Sequence, residues 1–74
     1  MKLPRINGER VIKALQSAGF EEIRVRGSHH YLTKPDHSVI ITVPVHSGKT
    51  LAPKTLQSIL QSAGIDVKDF YELL

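Results

Sequence analysis

Five consecutive residues, Gly27-Ser28-His29-His30-Tyr31, carry side chains that can do chemistry, and two arginines, Arg24 and Arg26, stand just ahead of them. An imidazole changes charge near neutral pH, so a histidine here can take the proton from a ribose 2'-hydroxyl. Guanidinium groups beside it can hold the phosphate that this hydroxyl attacks and stabilise its extra negative charge. A tyrosine ring adds a surface on which an unpaired base stacks. Cleavage of RNA through its 2'-hydroxyl would need such a set; whether this site does it rests on the rest of the chain. A histidine beside a turn also serves as a plain surface residue, and arginines alternating along a strand also serve as its solvated face.

The elements around these residues set how they are presented. Ile23 and Val25 alternate with Arg24 and Arg26, the period of a strand buried on one side, which predicts the aliphatic pair facing a core and the arginines facing out. Gly27-Ser28 is a two-residue hairpin signal, and His30 to Lys34 is the predicted second strand, ended by Pro35-Asp36. Val39 to Val43, closed by Pro44, is the strongest β segment of the chain and the predicted third strand. His29 and His30 are neighbours in extended chain, so only one of them can share a face with the arginines. If Leu32 points inward, that one is His29, together with Tyr31 and Thr33. His30 then leans toward the edge of the core.

Helices flank the three strands. Asn7 reads as an N-cap for a helix over about 8–18 with Val11, Ile12, Leu15 and Ala18 on one face, stopped by Gly19. Pro53 suits the first position of a second helix striped by Leu56, Ile59, Leu60 and Ala63 and ended by Gly64. Asp66, with Asp69 three residues on, predicts a short last helix presenting Phe70, Leu73 and Leu74. The order α-β-β-β-α-α predicts an α+β fold: a three-stranded antiparallel sheet with helices on one face and the other face open.

A chain of 74 residues suits a single domain over residues 1–74, and 41% apolar composition favours a folded one. The absence of cysteine excludes a disulfide framework and a thiolate zinc site. The adjacent histidine pair is followed by separations of seven and nine to His37 and His46, which does not match zinc-ligand spacing, so no metal is expected. Gly48-Lys49-Thr50 lacks the first glycine of a phosphate-binding loop and is set aside as a nucleotide site. No segment has the length of a membrane span, and Met1-Lys2-Leu3-Pro4-Arg5 is followed by no apolar leader core, so a soluble cytoplasmic protein is expected. The formal charge is +3, and residues 23–54 hold Arg24, Arg26, Lys34, Lys49 and Lys54 against Asp36 alone. That concentration, which includes all four histidines, suits a surface that meets phosphate. His46, in the loop with Lys49, is a second candidate for proton transfer or phosphate contact; His37 is given no role.

An ordered set of segments runs along almost the full length: Leu3-Pro4-Arg5, Ala18-Gly19-Phe20, Gly27-Ser28-His29, Val43-Pro44-Val45-His46, Thr55-Leu56 with Ile59-Leu60, and Ala63-Gly64-Ile65. Together they resemble the HicA family of toxins, small ribonucleases of toxin-antitoxin pairs. The resemblance implies a fold similar to a double-stranded-RNA-binding domain, and a catalytic role for His29 as the histidine of the Gly-Ser-His motif. It implies a metal-independent endoribonuclease acting on mRNA without a cofactor, silenced by a HicB antitoxin that covers His29. Many members carry glycine just before the Thr-Leu pair, where this chain has Lys54; that position bears on the entry into the second helix and adds a cation. The resulting expectation is His29 as general base, with Arg24, Arg26 and Lys54 on the phosphate, and Gly27, Ser28, Tyr31, His46 and Lys49 as further RNA contacts. His46, His30 or water remain open as the general acid. The alternatives are an RNA-binding module of the same fold that does not cut, and an interaction protein whose basic face docks an acidic partner.

Overall fold

The computed structural model describes residues 2–74, and its elements follow the order α1 (Gly8–Ser17), β1 (Glu21–Arg26), β2 (His29–Thr33), β3 (Ile41–Pro44), α2 (Pro53–Ala63) and α3 (Val67–Leu73). The helix ends follow local chemistry. The Asn7 side chain accepts from Arg10 N, closing the first turn of α1, and Asp66 does the same for Asp69 N in α3. Pro53 opens α2 behind Ala52, with Lys54 leaving that entry regular, and Gly64 ends α2 at φ 71°, a left-handed conformation in which a side chain would be strained.

The strands form one antiparallel sheet in the order β1-β2-β3. Leu32 of β2 stands opposite Ile41 of β3, and His30 opposite Val43, so these residues share one face. Leu32, Ile41 and Val43 are fully buried there against Val11 and Leu15 of α1, Leu56 of α2 and Phe70 of α3. All three helices supply this core, and the other face of the sheet stays uncovered. This is the α+β arrangement of a double-stranded-RNA-binding domain. Among the described residues no helix is long and apolar enough to cross a membrane.

Three expectations are corrected. Ile23 and Val25 do not face a core: each is 51% exposed, and every residue of β1 is exposed. The cause is a β-bulge. Arg24 pairs with Tyr31 but Glu22 pairs with Leu32, so Ile23 is the extra residue and Glu22 takes the slot that regular pairing would give to Ile23. Val25, opposite His30, keeps the core-side orientation, but β1 is an edge strand and the helices do not reach over it. The third strand starts at Ile41, not Val39; Val39 and Ile40 are exposed ahead of it. Leu74 is exposed rather than packed, whereas Phe70 is fully buried.

Candidate nucleic-acid interface

The hairpin turn comes first because it decides which side chains meet. Gly27 has φ 60°, while among the described residues none other than glycine has positive φ, so only the first central position of the turn does. That is the pattern of a type II' turn, which suits glycine there and leaves Ser28 unstrained. The turn sets Arg26 directly opposite His29 and Arg24 directly opposite Tyr31. Residues facing each other in an antiparallel pair share a face, with Cβ atoms about 5 Å apart. On β3, Thr42 continues the row from Tyr31, and Pro44 the row from His29.

The open face therefore carries Glu21, Arg24, Arg26, His29, Tyr31, Thr33, Thr42 and Pro44. Arg24, Arg26 and His29 are exposed and Tyr31 is half-buried. Among the described residues, no side-chain hydrogen bond or ion pair engages any of these four. Two guanidinium charges without an ion-pair partner among the described residues stand in a row on β1 beside an imidazole and a phenol on β2, all on the open face. Such a surface suits a polyanion whose phosphates supply the missing partners.

His30 points to the other side of the sheet. Its Nδ1 donates to Glu22 Oε1 at 2.5 Å, the one ion pair among the described residues, with both side chains part-exposed at 23% and 32%. The bulge makes this contact possible, since it moves Glu22 onto the core-side face beside His30. The adjacent histidines are thus divided: one free on the basic face, one held beneath it.

The remaining candidates separate into two places. Ser28 O accepts from Val45 N at 2.7 Å, which ties the turn to the start of the loop after β3. His46 and Lys49, both exposed, lie in that loop, closed by Lys49 N donating to His46 O at 3.0 Å. The loop returns beside the N-terminal arm, where Leu51 N donates to Ile6 O at 2.8 Å. Gly8, at the start of α1, sits so close to the end of β3 that a Cβ would fall 2.3 Å from Pro44 O. The turn, the loop and the start of α1 thus gather at one end of the sheet. Lys54 does not join the open face: it is in the first turn of α2, in the helical layer. His37 has a packing role, its Nε2 donating to Ser62 O at 2.6 Å and its ring meeting Phe20 edge-on.

Sequence reasoning missed the Glu22–His30 pair and the place of Thr42 opposite Tyr31. A glutamate eight residues before a histidine across a two-residue turn is a signal for such a pair, but only once the bulge is known.

A family model described as HicA toxin of bacterial toxin-antitoxin matches residues 8–65. No curated protein matches the chain.

Proposed function

This chain belongs to the HicA toxin family of bacterial toxin-antitoxin pairs, and we propose that it is an endoribonuclease that cuts mRNA on the open face of its sheet. The observation that carries the reading is His29 standing exposed opposite Arg26, with no side-chain hydrogen bond or ion pair to either among the described residues.

His29 accepts the proton of a ribose 2'-hydroxyl as its oxygen attacks the adjacent phosphorus; the P–O5' bond breaks, and the departing 5'-oxygen takes up a proton. Arg24 and Arg26 neutralise the charge that builds on the non-bridging oxygens. Tyr31 stacks on a splayed base, and Gly27 and Ser28 keep the turn narrow enough for the strand to approach. His46 and Lys49 contact RNA that passes the end of the sheet, and Lys54, in the first turn of α2 and off the open face, takes no part in holding the scissile phosphate. No metal or other cofactor enters this scheme. DNA, without the hydroxyl, is not cut.

A HicB-like antitoxin silences the toxin by covering His29 and the arginines, a patch that an acidic surface complements. The whole chain acts as one domain in the cytoplasm.

The test incubates purified protein with RNA in EDTA. Cleavage should persist, should fall by about two to four orders of magnitude in His29→Ala, and should spare DNA of the same sequence. Unchanged cleavage by His29→Ala sinks the assignment, and RNA binding without products would favour a binding module.

A further inference from the structure

β1 is an edge strand of six residues, Glu21–Arg26, exposed along its whole length, with its outer backbone groups unpaired. Charged side chains often blunt such an edge against association. Here their order works the other way. The strand begins acidic, Glu21-Glu22, and ends basic, Arg24-Val25-Arg26, with Ile23 between them. Turned end for end, its acidic start meets its basic end.

The bulge turns that order into geometry. In a regular strand residues 21 and 26 would point to opposite faces. With Ile23 as the extra residue, Glu21 stands opposite Thr33 and Arg26 opposite His29, which puts both on the open face. Glu22 is engaged by His30, whereas Glu21 and Arg26 have no ion-pair partner among the described residues. Ile23 and Val25 are two of the most exposed large apolar side chains of the protein.

We propose that β1 is a self-association edge, at which two copies of this chain pair antiparallel about a two-fold axis at Arg24, the middle of the five ladder positions that β1 presents once Ile23 is the extra residue. Glu21 of each copy faces Arg26 of the other, two ion pairs on one face. Val25 of each copy then faces Glu22 of the other, Ile23 lies beside the axis, and the two Arg24 side chains meet at it, the one like-charge contact of the edge. The contact is isologous and closes on itself as a dimer. The three-stranded sheets join into one of six strands. Both open faces then look the same way, and two sets of Arg24, Arg26 and His29 lie on one continuous surface.

The other edge offers no such selection. β3 has four residues, ends in Pro44, which has no N–H to donate, and carries no charge along Ile41–Pro44. The β1 pairing is small, so the dimer is weak and concentration-dependent.

The test is sedimentation equilibrium of the full chain, without RNA, from low micromolar to millimolar protein. Mass rising from one copy toward two is expected. Glu21→Arg alone and Arg26→Glu alone each set like charges opposite and should stay monomeric. Mixing these two variants should restore the dimer, as should the double variant Glu21→Arg/Arg26→Glu. Circular dichroism checks that each is folded. A wild-type chain monomeric throughout, or a dimer indifferent to both single reversals, overturns the proposal. Because mass is read without RNA, this outcome is independent of whether the chain cleaves.

Discussion

Arg26 stands directly opposite His29 across the two-residue turn Gly27-Ser28, on the uncovered face of the sheet. The guanidinium and the imidazole are neighbours because a two-residue type II' turn makes its flanking residues the first facing pair of the hairpin. Replacing Arg26 with alanine should leave the imidazole in place and remove the charge beside it. Cleavage should fall by about 10²- to 10³-fold, the cost of losing one preorganised donor to a developing oxyanion. Denaturant unfolding should move by no more than about 0.5 kcal/mol, since the side chain is exposed and unpaired.

The two adjacent histidines should respond in opposite ways. His29→Ala removes the proposed base and nearly abolishes cleavage with no loss of stability. His30→Ala breaks the contact to Glu22 and should cost up to about 1 kcal/mol, given that both partners are part-exposed, while cleavage persists. Parallel assays of RNA turnover and urea unfolding check this; a His30→Ala variant as inactive as His29→Ala would contradict the division of roles.

Arg24 and Arg26 should each account for a phosphate contact. For a single-stranded RNA substrate, Arg24→Ala should lower the salt slope of log K by about 0.7 and weaken binding to a similar degree across sequences. Binding measured by fluorescence anisotropy over a salt series reads both quantities. A slope unchanged by Arg24→Ala would place the backbone elsewhere.

Two glycines near the site should rank by what surrounds them. At Gly27 an added Cβ meets nothing within 4 Å, so Gly27→Ala carries only the strain of φ 60°, about 1–2 kcal/mol. At Gly8 the Cβ would sit 2.3 Å from Pro44 O and 2.9 Å from Val45 Cγ2, and backbone has to give way. Gly8→Ala should cost about 3 kcal/mol or more. Denaturant midpoints that reverse this order would show that the end of β3 yields easily.

The last helix should be indispensable although it lies beyond the matched residues 8–65. Phe70 is fully buried within the core shared by Val11, Leu15 and Leu56. Phe70→Ala should destabilise by about 3–5 kcal/mol, a large share of the 5–15 kcal/mol typical of a small domain. Loss of the cooperative thermal transition on truncation after Ile65 checks the same point.

What the sequence determined by itself is everything that depends on neighbours in the chain. Asn7 and Asp66 cap helices through bonds spanning three residues, Pro53 opens a helix and Gly64 closes one, and Gly27-Ser28 turns a hairpin. Alternation alone also separated His29 from His30 and set the first with Arg24 and Arg26. The tertiary structure decided what depends on pairing and cover. The bulge at Ile23 depends on how β1 registers against β2, so no local pattern announces it, and it carried Glu22 to His30 and Glu21 to the face of the arginines. The exposure of Ile23, Val25, Val39 and Ile40 was equally out of reach, because an apolar side chain is buried only if another element reaches it. Lys54 shares the charge of the basic stretch but not its face, since layer assignment follows from packing and not from order along the chain.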